Sequence, residues 1–555
     1  MCQRGLTPLA HFGISMRYWR RMILCQAGIF AGTLVLLLLL LLGAALIPKS
    51  AVRGNMEKSA ELLCENSVFY NLQEGINGSK IDRYADSILL SIAYQMSGGN
   101  PLRKAMEATY YYSPYKNEND NFRESLMLDY EPNQQYIRYW HGSVIFVKIF
   151  HLFGSLKGMY IFNAILMAVL FGALEWLLVG GVHQRGQAPV VQAYQGGQAP
   201  VVQAYQRGQA PVVQNRYMAA GALAVSLIAV SVWFVPYSLE YTCTFLLMLV
   251  VSIIGICFVR TGHEDRLFSL FLISGMVTSF LDFLTTETLT LLVPLLLVLA
   301  YQRGQAPVAQ VRKEGQAPVV QAYQKGQAPV VRGEFSCTTG ARPLWCSVLW
   351  AVGYVGMWVM KWVLASAVLH DNVMQYVSSH VSERIGSTEE FTLPEYMRNA
   401  VVRNISCLFP AEYGPAGKVI LLVLLFVLIA VAVVFRRKKI DFRRIALYAA
   451  IGLLPYLRYI TLRNHSYLHY FFTYRAQAAT VLALFMILSE IVQLPGTSHA
   501  DHAAKSSPEN AAKNPVASKN SEGQTKTGNR KQNASGAKSK PHGKQHSRKK
   551  GKSRK

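Results

Sequence analysis

The sequence predicts an all-α, polytopic membrane protein with about ten transmembrane helices and a partly helical first exterior loop. Three observations predict it. The 555 residues are 51% hydrophobic and only 16% charged, with a mean hydropathy of +0.20. Apolar runs near twenty residues recur along the chain, the length that crosses a hydrocarbon core. Lys and Arg gather in the connections that such a count places in the cytoplasm, as the positive-inside rule requires.

The first apolar run, 23–47, is too long for a signal-peptide core and lacks a cleavage site, so it reads as an uncleaved signal anchor. Arg17, Arg20 and Arg21 precede it and place residues 1–22 in the cytoplasm. Nine further segments follow, at 158–180, 217–236, 239–259, 267–281, 286–301, 344–366, 418–435, 444–459 and 474–493. Together they define a ten-span domain over 23–493, with exterior loops at 48–157, 367–417 and 460–473. The fifth and sixth are short and separated by Asp282 and Glu287, which suits a helical hairpin whose tip reaches the outer interface. Arg260–Arg266, Phe435–Arg444 and 494–555 then all face the cytoplasm. The expectation is a multi-pass protein of the bacterial cell membrane with both termini cytoplasmic.

The net charge of +25 does not point to a specific nucleic-acid partner, because roughly half of it lies in the 494–555 tail. That tail is rich in Lys, Ser, Asn and Gly. It reads as disordered and suited to contact with anionic lipid. An eleven-residue unit close to Arg-Gly-Gln-Ala-Pro-Val-Val-Gln-Ala-Tyr-Gln occurs six times, in cytoplasmic loops 181–216 and 302–343. Gly and Pro in every unit exclude a coiled coil, and the arrays read as insertions that loops tolerate. Cys64 and Cys407 are the two cysteines in exterior loops and the one pair placed to form a disulfide. Asn77, Asn404 and Asn464 begin glycosylation triplets on the same side.

Unusual polar residues collect on the exterior side. Asp82 and Asp86 stand four apart in the first loop and share a face if the segment is helical. Carboxylates at a membrane boundary can take a proton from an incoming hydroxyl. The same loop carries Arg138-Tyr139-Trp140-His141, then an apolar segment at 140–153 that is too short to span and suits an interfacial helix. Asp282 and Glu287 occupy the hairpin tip, and Lys361 lies inside the seventh span, either as a functional charge or as a snorkelling one. The loop at 367–417 is polar, with Glu383, Arg384, Glu389, Glu390 and Glu395. The last exterior segment holds Arg458, Arg463, His465 and His469 among Tyr hydroxyls, donors suited to a phosphate or pyrophosphate headgroup. No metal ligands are assigned, since His465 and His469 lack a matching carboxylate, and a divalent-metal requirement stays open.

This layout resembles the GT-C class of membrane glycosyltransferases. Arg83-Tyr84-Ala85-Asp86-Ser87-Ile88 is similar to the Asp-Glu-x-x-Tyr-Ala run of the aminoarabinose and mannosyl transferases. Tyr139-Trp140-His141-Gly142 with Phe153-Gly154-Ser155 and Asn163 resembles their Tyr-Pro-Pro…Phe-Gly…Asn segment. The closing Asn-His-Ser-Tyr-Leu-His stretch looks like that of uncharacterised bacterial multi-spanning proteins. In this alignment the family's adjacent acid pair falls on Lys80 and Ile81, so Asp86, or after it Asp82, takes the place of the base.

The resemblance implies transfer of a sugar from a polyprenyl-phosphate donor in the membrane lipid to an acceptor on the exterior face. Arg458, Arg463, His465, His469 and Lys361 would hold the donor phosphate, with His141, Asp282 and Glu287 as further candidates. A lipid-linked-sugar flippase and a non-catalytic scaffold are the alternatives. The span centres carry almost no charge, which disfavours transport.

Overall fold

The computed structural model describes residues 8–180, 216–303, 341–385, 391–438 and 440–493. Both repeat arrays, the 494–555 tail, and Glu389 and Glu390 lie outside the described residues. The described chain is mostly helical, with two short antiparallel strand pairs. Helix covers most of each of the ten apolar segments. Among the described residues, six helices are long and apolar enough to cross a membrane: Arg20–Ala45, Leu156–Gly180, Leu239–Thr261, Arg342–Leu369, Ala411–Val434 and Tyr470–Ile491.

The first long helix is α1 (Pro8–Ala45). The 48–157 connection then folds into α2 (Lys49–Cys64), α3 (Arg83–Gln95), α4 (Pro101–Glu107), α5 (Glu118–Met127) and α6 (Val144–His151). Caps explain where these begin. Asp82 accepts from the Ala85 amide to start α3, Asn100 with Pro101 starts α4, and Asn117 starts α5. A hairpin of β1 (Phe69–Asn71) and β2 (Lys80–Asp82) precedes α3, pairing Phe69 with Asp82. The expected interfacial helix is α6. It buries Val144, Val147, Lys148 and His151 and exposes Phe146 and Ile149 on its other side.

The bundle continues with α7 (Leu156–Gly180), α8 (Arg216–Ala229), α9 (Leu239–Thr261), α10 (Leu267–Leu281) and α11 (Leu289–Arg303). It ends with α12 (Ala341–Leu369), α13 (Val373–Ile385), α14 (Leu393–Ile405), α15 (Gly414–Val434), α16 (Phe442–Thr461), α17 (Arg463–Leu468), α18 (Tyr470–Thr473) and α19 (Ala478–Ile491). The centre is α9 and the α18–α19 segment, whose apolar windows are 56% and 67% buried. At the periphery α15 is only 6% buried and presents Val419, Ile420, Val423 and Phe426 outward. Helices α10 and α12 touch backbone to backbone. Gly275 lies against the Trp350 carbonyl and Gly353 against the Leu272 carbonyl, where any Cβ would collide.

Cys64 and Cys407, a possible disulfide pair by location, are both free thiols. Asn404 is fully buried, its amide donating to the Ala400 and Ser466 carbonyls, so its triplet offers no acceptor in the folded chain.

Candidate functional site

The candidate acids converge on the first turns of α9. Asp86 is fully buried. Its Oδ1 accepts from the Leu239 amide at 2.9 Å and its Oδ2 from the Tyr160 hydroxyl at 2.5 Å. Leu239 is the first residue of α9, so this carboxylate caps a helix 153 positions away, at the end where the helix dipole favours negative charge. Burial pushes the Asp86 carboxyl up to about 7, against the pull of those two donors.

Asp82 differs in one respect. Its Oδ1 caps α3 through the Ala85 amide at 2.9 Å, but its Oδ2 accepts no hydrogen bond from the described residues. The residue is 4% exposed, and Oδ2 is not sealed from solvent. Burial also raises this carboxyl to about 7, opposed by the Ala85 amide and by Lys80. The Lys80 ammonium rests over the rings of Phe69 and Phe471, at 5.1 and 4.8 Å. The fully buried Arg475 guanidinium lies 5.1 Å above the ring of Tyr241 on α9. Arg475 itself ties the hairpin down through the Gly78 carbonyl at 2.9 Å.

A second cluster lies further along α9. Asp282 accepts from the Leu284 and Thr285 amides and the Thr285 and Thr244 hydroxyls, which fixes the turn between α10 and α11. Burial lifts its carboxyl to about 7 as well, with nearby Glu287 adding to the rise. Glu287 forms a buried ion pair with Arg458, Nη2 to Oε2 at 3.0 Å, and Arg458 also donates to the Leu284 carbonyl at 2.6 Å. Leu239 serves Asp86 and Thr244, five positions on, serves Asp282, so the two clusters share the first turns of α9.

The expected phosphate donors separate. Arg458 is neutralised by Glu287. Lys361 is fully buried and donates to the Ala105 and Met106 carbonyls at 3.1 and 3.0 Å, capping the end of α4. It neither snorkels nor faces the acids of α3. His465 and His469 pack together, ring centroids 4.8 Å apart, and both approach Phe472, whose ring lies 5.2 Å from Tyr241. Arg463 opens α17 beside them. His141 is buried against Tyr136 and Phe283, and burial lowers its imidazole to about 3.

No family model, curated protein or solved structure matches this chain. Among the described residues no three His, Cys, Asp or Glu are grouped as metal ligands. Sequence reasoning missed Tyr160 and Tyr241, which look like ordinary residues at the start of apolar runs. Their signal is a hydroxyl at the polar mouth of an apolar run, beside Glu240 and Thr242 in one case and Lys157 and Asn163 in the other.

Proposed function

We propose that the chain is a polytopic membrane glycosyltransferase of the GT-C type, with Asp82 as its general base and Asp86 as the anchor that holds the base in place. The observation that carries this reading is the division of labour on α3. Both oxygens of Asp86 are engaged by buried donors, whereas Asp82 keeps one oxygen free. A base must reach the proton that it removes, and a carboxyl raised to about 7 is well matched to that task near neutral pH. This reverses the ranking that the Tyr-Ala-Asp resemblance suggests.

The membrane reading draws on the outward-facing hydrocarbon of α1, α7, α12 and α15, a pattern suited to lipid. Four shorter helices, α8, α10, α11 and α16, bring the count to ten if they also span. Under this reading the 48–157 module lies at the exterior surface, and the basic 494–555 tail lies on the cytoplasmic side of a bacterial membrane.

In the reaction, Asp82 Oδ2 takes the proton of an acceptor hydroxyl as its oxygen attacks the anomeric carbon. The polyprenyl phosphate leaves with the bonding pair. Lys80, Arg463 and the His465–His469 pair supply positive charge and donors for that phosphate. Arg458 and Lys361 hold the scaffold instead.

Membranes containing the full chain, incubated with a panel of radiolabelled polyprenyl-phosphate sugars and an extract of cell-envelope acceptors, test the reading. Label should pass from one donor to an acceptor. Intact donors throughout the panel would refute it.

A further inference from the structure

A cavity of about 260 Å³ lies between α12, α13, the α10–α11 turn and the start of α17. Its walls include Tyr354, Trp358, Trp362, Leu284 and Leu462, with Arg138 as the one cation among them. Val355 and Val359 also line it and are 57% and 45% exposed on the outer side of α12. The cavity therefore opens sideways along a helix that the membrane reading places in the bilayer.

Arg138 has unspent bonding capacity. Its Nη2 donates to the Tyr136 hydroxyl at 3.0 Å, and its guanidinium stacks over the Tyr136 and Tyr139 rings. No acid among the described residues pairs with it, and its Nε is buried without an acceptor. Behind Leu284, the Nη1 of Arg458 is likewise buried and unpartnered. An apolar chamber with an uncompensated guanidinium suits a ligand with a hydrocarbon chain and an anionic head.

At about 260 Å³ the cavity has room for a length of hydrocarbon chain. Neither Asp82 nor Asp86 lines the cavity, so a donor seated here would not present its anomeric carbon to the base.

We propose that this cavity is a binding site for an anionic glycerophospholipid, one acyl chain between Trp358, Trp362 and Leu462 and its phosphate on Arg138. The occupant is a resident lipid and not the reacting one. The proposal rests on the membrane reading but not on sugar transfer.

Trp358 and Trp362 provide the readout. The full chain is purified in detergent and titrated with phospholipids brominated on the acyl chain, which quench nearby indoles. Brominated phosphatidylglycerol should give a saturable component that phosphatidylcholine matches only at about tenfold higher mole fraction, as expected for one charge-assisted contact. R138Q should erase that preference and R138K should restore it. Substituting Phe for Trp358 and Trp362 should remove the saturable component, and Leu462→Trp, which fills the chamber, should block it. Equal response to the two headgroups, or an R138Q protein that keeps the preference, overturns the proposal. Displacement of the brominated lipid by an equal mole fraction of polyprenyl phosphate also overturns it, because the chamber then takes the donor. A chain that stays soluble without detergent refutes the membrane reading itself, which is a separate result.

Discussion

Replacing Asp86 with Ala removes the acceptor for two buried donors, the Leu239 amide and the Tyr160 hydroxyl. Each buried group left unpaired costs about 1–3 kcal/mol. The loss of a carboxylate at the start of α9 adds about 0.3–2 kcal/mol, as far as the group is ionised. Asp86→Ala should therefore destabilise the protein by about 2–8 kcal/mol, a large share of a typical margin. Asp86→Asn keeps one oxygen for the Leu239 amide and an amide that can face the Tyr160 oxygen, so it should cost well under half as much. Asp82→Asn keeps the oxygen that caps α3 and should melt within about 0.5 kcal/mol of the parent. Thermal unfolding in detergent, followed by size-exclusion fluorescence, reads all three. If Asp86→Ala melts with the parent while Asp82→Asn collapses, the division between anchor and base is wrong.

Glu287→Gln strands the buried Arg458 guanidinium and should cost about 3–5 kcal/mol, read in the same melting assay, with Arg458→Met in the Gln background recovering part of the loss. Lys361→Met leaves the Ala105 and Met106 carbonyls without their donor and should lower stability by about 1–3 kcal/mol while donor KM stays unchanged; a KM effect at preserved stability would return Lys361 to the phosphate site. Stability and activity should move in opposite directions with pH. Asp82 and Asp86 hold their protons more tightly in the folded state, up to about pH 7, than in the unfolded one. Their contribution is therefore full below the ordinary carboxylate range and is lost as pH rises through 7. Transfer should rise over the same interval as Asp82 ionises. Melting temperatures from pH 4.5 to 7.5 should fall, and the slope should flatten in the Asp82→Asn, Asp86→Asn double variant; an unchanged slope would refute the assignment.

What could be read from the sequence was local. The apolar runs, and a short helix within the apolar segment 140–153, follow from spacing and residue type within a dozen positions, whereas Asp82, expected to share a helix face with Asp86, instead caps α3. The pairings that decide each charge's role are distant: Asp86 with Leu239, Arg458 with Glu287 at a separation of 171, and Lys361 with Met106 at 255. A linear pattern leaves Lys361 open between a functional charge and a snorkelling one, because a charge inside an apolar run is costly. Only the packing of α12 on the end of α4 supplies the carbonyls that make it structural. Similarly, Tyr-Ala-Asp favours Asp86 by resemblance, and nothing nearby announces that both its oxygens are taken. The span count is less legible for another reason. Helix α16 carries Arg443, Arg444, Pro455 and Arg458, and α10 and α11 are only fifteen residues each, so length and hydropathy alone leave them short.

The most direct test is sugar transfer by the parent, Asp82→Asn and Asp86→Asn proteins at matched expression in the same membranes. The parent should transfer sugar, Asp82→Asn should lose at least about a hundredfold in kcat in line with the removal of a general base, and Asp86→Asn should lose less. Equal transfer by Asp82→Asn and the parent, with activity abolished only in a stable Asp86→Asn protein, would contradict the assignment of Asp82 as the base.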